Sequence, residues 1–142
     1  MKDIIPKAEF EQLCCVWRNG IKKENSDPCE IRMDECGAVI RFLEHGEKSE
    51  YGWEIEHSYP ESLLQKQGFE QSKIDDYANL RPMHWKNNAS KSDNYPTYHR
   101  AVTWDGSRNV GKDDIVHVDK MQQTKVHLLY GDNLIMNPAK KA

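Results

Sequence analysis

The chain has 142 residues, 37% of them hydrophobic and 30% charged, with a formal net charge of −3. That is one domain's worth of chain, enough for a single modest core, and no run approaches the roughly 18–20 apolar residues of a membrane span. The opening stretch MKDIIPKAEFEQLCC lacks the apolar core and small-residue cleavage site of a signal peptide, so the cytoplasm is the expected compartment.

The charge is unevenly spread. Residues 1–78 carry 10 Lys/Arg against 17 Asp/Glu, a net of −7, and residues 79–142 carry 10 against 6, a net of +4. Within 79–112 the cations Arg81, Lys86, Lys91, Arg100, Arg108 and Lys112 face only Asp93 and Asp105. A phosphate backbone needs local positive charge to displace its counterions, and this half is expected to supply it. The four cysteines, Cys14, Cys15, Cys29 and Cys36, include no C-x-x-C pair, so neither a four-ligand structural zinc nor a disulfide framework is expected.

In chain order, Pro6 to about Asn19 reads as a helix, with Phe10, Leu13, Cys14 and Trp17 on one face and Gly20 as its stop. Residues 22–30, KKENSDPCE, read as a polar loop, and Ala38–Leu43 as a short strand. Gly52–His57 alternates Trp53 and Ile55 with Glu54 and Glu56, the pattern of a strand that Pro60 ends. Residues 61–78 form a long excursion with one helical turn around Glu61–Gln67. Asn79–Pro82 reads as the returning strand, and His84 to Asp93 as a helix with Asn88 and Lys91 sharing a face. Further on, Asp105-Gly106 marks a turn, and Ile115–Val118 and Lys125–Tyr130 read as strands.

The chemistry concentrates in the central unit of strand, loop, strand and helix. Glu56 offers a carboxylate and Asn88 a neutral carboxamide oxygen, the donors a hard divalent cation takes. His57 is a candidate general base, since a free imidazole titrates near working pH. Lys91 is a candidate phosphate contact. Together these point to hydrolysis of phosphodiester bonds. The alternative is a catalytically silent nucleic-acid-binding module that keeps the same unit.

Glu56-His57, Asn79 and Asn88, with the stretches YGWEIEH and NLRPMHWKNNASKSDNYP, resemble the HNH endonucleases and are also similar to the HNH domain of CRISPR effectors. The resemblance covers about residues 33–96. It implies an α+β fold, a small single domain built around a ββα-metal finger, that cuts DNA with one divalent ion, Mg²⁺ or Mn²⁺. It assigns His57 as the base, Asn79 as a brace that orients it within the catalytic set, Glu56 and Asn88 as metal ligands, and Lys91 as the substrate contact. Glu56 stands where the family most often has Asp, and Met33, Cys36, His84 and Asn87 stand where many members carry two C-x-x-C pairs. RNA stays open as a substrate because such a site sees phosphate and not sugar. A homodimer or a targeting partner is not readable from these residues.

Overall fold

Helix α1 (Lys7–Trp17) starts directly behind Pro6, whose fixed φ suits a helix entry, and buries Leu13, Val16 and Trp17. The computed structural model describes residues 4–140, an α+β arrangement of five α-helices and nine short strands. The buried stripe of α1 differs slightly from the expected one: Val16 is buried, while Phe10 stays largely exposed with its ring edge on Phe42.

Strands β1 (Ile21–Lys22), β2 (Ile31–Met33) and β3 (Val39–Arg41) form an antiparallel sheet in that order. The polar stretch read as a loop is therefore the connection of a hairpin, closed where Ile31 N donates to Asp27 O. Strand β4 (Trp53–His57) pairs antiparallel with β5 (Leu80–His84), in a register that sets Trp53 opposite His84, Glu56 opposite Arg81 and His57 opposite Leu80. Between them lie α2 (Glu61–Lys66), α3 (Gln71–Ile74) and a 3₁₀ turn over Tyr77–Asn79. Gly52, just before β4, has no room for a side chain: a Cβ there would lie 1.8 Å from the Glu47 carbonyl oxygen.

Helix α4 (Trp85–Lys91) follows β5 without a loop, because His84 caps it: its Nδ1 accepts from Lys86 N at 3.1 Å. Two hairpin-like pairs come next, β6 (Thr97–His99) with β9 (Ile115–His117) and β7 (Val102–Trp104) with β8 (Asn109–Gly111). Residues 125–130, read above as a strand, instead complete helix α5 (Lys120–Tyr130). Asp119 caps its start by accepting from Gln122 N, and Val126 and Tyr130, four apart, form its buried stripe.

The β4–β5 hairpin lies between two helices. One face of β4 packs Trp53 against Leu13, Val16 and Trp17 of α1, with Ile40 and Leu80 completing that cluster. The other face, carrying Glu54 and Glu56, meets Asn88 and Lys91 of α4. A second, larger cluster of Tyr59, Leu64, Ile74, Met83, Tyr95, Tyr98, Val126 and Tyr130 lies under the loop between the strands. Fully burying one such side chain contributes about 1.5–3 kcal/mol, so the hairpin is held from both faces. Among the described residues no helix is long and apolar enough to cross a membrane.

Candidate functional site

His57 is the last residue of β4 and only half-buried, so its imidazole emerges where the strand leaves the sheet. Its Nε2 lies 2.8 Å from Asp75 Oδ1 and 4.0 Å from Glu61 Oε2. Burial alone would raise the Asp75 carboxyl pKa, but the hydrogen bond from His57 and a second from Gln71 outweigh it and hold the group below its ordinary value. With Asp75 ionised, the proton in this bond belongs to Nε2, so the neutral ring that makes it carries its lone pair on Nδ1. Gln71 Nε2 donates to both Glu61 Oε2 and Asp75 Oδ2, at 2.8 and 2.9 Å, and ties the two carboxylates together.

Beside His57 opens a cleft of about 370 Å³, lined by Glu56, His57, Glu61, Asn88, Ser92 and Asp93 among others. Asn88 Nδ2 donates to Glu54 Oε1 at 2.8 Å. That bond fixes the carboxamide, leaving its oxygen as the free acceptor at the cleft. Its neighbour Asn87 faces inward. There its Oδ1 accepts from Ala101 N and Val102 N, while its Nδ2 donates to Val102 O and Asp34 Oδ2. Asp34 in turn accepts from Cys36 N, Ala38 N and His84 N, so Asp34 and Asn87 splice β3, β5, α4 and β7 together.

Asn79 is fully buried and pairs with backbone on both sides of the loop. Its Oδ1 accepts from Tyr59 N at 2.8 Å, and its Nδ2 donates to Tyr59 O at 3.1 Å and Ile74 O at 3.4 Å. It thereby holds the chain two residues past His57 to the segment that carries Asp75. It is absent from the lining of the cleft, and its bonds are those of a brace between the two ends of the loop.

Two expectations need correction. Glu56 is 3% exposed and is enclosed by cations: Arg81 Nε is 2.5 Å from Oε2, and Lys91 Nζ is 2.9 Å from Oε1. Burial by itself would push its carboxyl up, but the two cations win and hold it down at about 2. Lys91 is 1% exposed, with Nζ also donating to His57 O and Ser58 O at 3.3 and 3.1 Å. It braces the end of β4 from inside and does not reach a substrate phosphate. The reason is the rotation of α4, which turns Asn87 and Lys91, four apart, inward while Asn88 faces the cleft.

The expected metal ligands therefore do not fit an ion as a pair. Asn88 has a free oxygen at the cleft; Glu56 has both oxygens engaged by fixed positive charge. Releasing Glu56 to a metal would leave Lys91 buried without a counter-charge and Arg81 with Glu35 alone, which is unfavourable.

The expected basic face is also thinner than composition suggests. Arg81 is turned inward between Glu56 and Glu35, Lys91 is buried, and Arg100 pairs with Asp114 at 2.7 Å. Lys86, Arg108 and Lys112 remain on the surface, Lys86 against the Trp85 ring and Lys112 within 3.8 Å of Asp114.

Sequence reasoning missed Asp75, Glu61 and Asp34, and it read Arg81 only as one cation of a basic face. Arg81 was findable: pairing His57 with Leu80 across the hairpin sets Arg81 opposite Glu56, an opposite-charge cross-strand pair. Asp75 was not, since it reaches His57 across a loop whose sequence shows no regular period. No family model matches this sequence, and no curated protein and no solved structure matches it.

Proposed function

We propose that the chain hydrolyses phosphodiester bonds in DNA, with His57 as the general base. One observation carries this reading: an imidazole whose Nε2 is held by Asp75 lines the same cleft as Asn88, which leaves Nδ1 as the nitrogen able to accept a proton. A base must be held in one tautomer to be effective, and the aspartate behind it sets that tautomer. A water in the cleft would lose its proton to Nδ1 as it attacks phosphorus, and the imidazolium would be stabilised by the carboxylate behind it.

Among the described residues the cleft lining includes Glu61 and Asp93 and no lysine or arginine, so a phosphate enters it against local negative charge. A divalent ion, Mg²⁺ or Mn²⁺, would offset that repulsion and the charge developing at the phosphate. Of the two residues expected to ligate such an ion, Asn88 is the one that suits it.

A second reading is favoured by Glu56. A carboxylate already neutralised by Arg81 and Lys91 suits a module that kept the hairpin and helix, binds nucleic acid and does not cut it. Incubating supercoiled plasmid and a single-stranded RNA with the protein in Mg²⁺, in Mn²⁺ and in EDTA, beside His57→Ala, separates the two. The nuclease reading expects nicked or linear product that His57→Ala abolishes, and the EDTA arm tells whether an ion takes part. Intact substrate throughout, with a salt-dependent gel shift, establishes the silent module. Neither cleavage nor binding rejects both.

A further inference from the structure

The three donor atoms around His57 form a site of their own. One donor atom each of His57, Glu61 and Asp75 lie within 4.8 Å of one another, and His57 Nε2 is 2.8 Å from Asp75 Oδ1 and 4.0 Å from Glu61 Oε2. An ion with bonds of about 2.0–2.2 Å spaces neighbouring ligands roughly 3.0–3.6 Å apart, so the observed distances bracket what is needed and close with small side-chain shifts. The donor set is one imidazole and two carboxylates from three different segments, β4, α2 and the end of α3. Gln71 holds the two carboxylates in position without adding charge, as outer-shell partners of metal sites do. The adjoining cleft, which His57 and Glu61 both line, leaves room for a water or a further ligand.

The geometry points to a divalent transition-metal site at His57, Glu61 and Asp75, of the zinc class, that switches the base off. An imidazole donor selects borderline ions such as Zn²⁺ over Mg²⁺, so the site is distinct from any hard-ion position at Asn88. Its effect follows from the tautomer. A metal on Nε2 displaces the proton there, and a neutral imidazole must then carry its proton on Nδ1. The proton leaves Nε2 and is taken up from solvent at Nδ1, so the nitrogen that would accept a proton from water becomes a donor. Asp75, drawn onto the metal, no longer receives the His57 hydrogen bond. Metal binding stands on the three side chains alone; only its effect on cleavage rests on the nuclease reading.

The test uses the full chain with Cys14, Cys15 and Cys29 changed to Ser, because these free thiols are at least partly accessible and compete for zinc. Zinc affinity is measured by competition with a chromophoric chelator, without nucleic acid and with millimolar Mg²⁺ present. The ring nitrogens are followed by ¹⁵N NMR. The expected result is one zinc bound, with affinity at least tenfold weaker in Glu61→Gln and in Asp75→Asn, weaker still in His57→Ala, and the His57 proton moving from Nε2 to Nδ1. Glu61 is partly exposed and its replacement by Gln keeps the shape, so that variant reports even where another fails to fold. Unchanged affinity in Glu61→Gln and His57→Ala, or a different histidine taking the metal, overturns the proposal. Zinc binding by a protein that never cuts removes the nuclease reading and the switch with it but keeps the metal site; cutting that zinc leaves untouched, with no zinc bound, removes the metal site and keeps the nuclease reading.

Discussion

Asp75 Oδ1 lies 2.8 Å from His57 Nε2, although the two residues are 18 positions apart and sit on different elements. That one contact decides which ring nitrogen is free, and the chemistry proposed for the cleft depends on it. Asp75→Asn keeps the shape but removes the charge and lets the amide donate to Nε2, which favours the wrong tautomer. Plasmid nicking is expected to fall by about 10²-fold in Asp75→Asn, and by roughly 10²–10⁴-fold in His57→Ala. Initial rates on supercoiled plasmid, with folding checked by circular dichroism, measure both. An Asp75→Asn rate equal to wild type would remove Asp75 from the site.

The buried triad of Glu56, Arg81 and Lys91 is expected to behave as a unit. Glu56→Gln strands the buried Lys91, leaves Arg81 with Glu35 alone, and is predicted to cost about 3–5 kcal/mol of stability. Lys91→Met leaves Glu56 with Arg81 alone and also costs, while the double variant loses less than the sum of the two because the remaining charges are better matched. Urea unfolding of the four proteins gives the coupling energy. A coupling near zero would mean that the Lys91–Glu56 contact is not an energetic pair.

Acid should unfold the protein partly through the same carboxylate. Glu56 is held at about 2 in the folded chain, against an ordinary value of 4.5. A folded-state pKa below the unfolded one gives stability that is fully present above about 4.5 and is lost as pH falls toward 2. Asp34 works in the opposite sense: its burial raises its pKa, so protonating it favours the folded state and softens the loss. Stability measured from pH 6 down to pH 2.5 should therefore fall less steeply in Glu56→Gln than in wild type. Parallel curves would contradict the assignment.

The adjacent asparagines should separate stability from activity. Asn87→Ala leaves the backbone N–H groups of Ala101 and Val102 and the Val102 carbonyl without their partner. At about 1–3 kcal/mol for each buried group left unpaired, even partial relaxation predicts a loss on the order of 3 kcal/mol. Asn88→Ala removes one partly exposed contact with Glu54 and is expected to cost under about 1 kcal/mol while lowering cleavage. Thermal melts and nicking rates of the two variants check this; a reversed pattern would exchange their roles.

Gly52→Ala is expected to destabilise strongly with no change in chemistry, because the new methyl would sit 1.8 Å from Glu47 O and force the β3–β4 connection apart. A melting temperature within a degree or two of wild type would show that the connection yields easily.

What could be read in the sequence was local. Trp53-Glu54-Ile55-Glu56 announces a strand by alternation, Leu13 and Trp17 announce a helix face, and both appear with nearly the expected bounds. Lys125–Tyr130 misled because Val126, Leu128 and Leu129 suit either structure, and the deciding residue, Asp119, lies outside the segment as its cap. At the site, alternation correctly separated Glu56 from Trp53 but could not show that the polar face is also covered. That depends on Lys91, 35 residues away, pointing under α4 rather than out of it. A one-residue difference in helix phase separates an internal lysine from a phosphate contact, and helix phase is settled by packing.

The C-terminal part of the chain fastens the loop that holds the site. Tyr130 Oη donates to Lys73 O and Ile74 O, the Ile135 carbonyl accepts from Tyr59 Oη, and Asn137 exchanges backbone hydrogen bonds with Tyr95. Removing residues 130–137 would take these contacts away and leave Asn79 and Gln71 to hold the segment that presents Asp75 to His57. The His57–Asp75 contact thus leans on a side chain more than 50 positions further along, and a variant shortened before Tyr130 is expected to keep the β4–β5 register while holding Asp75 less firmly.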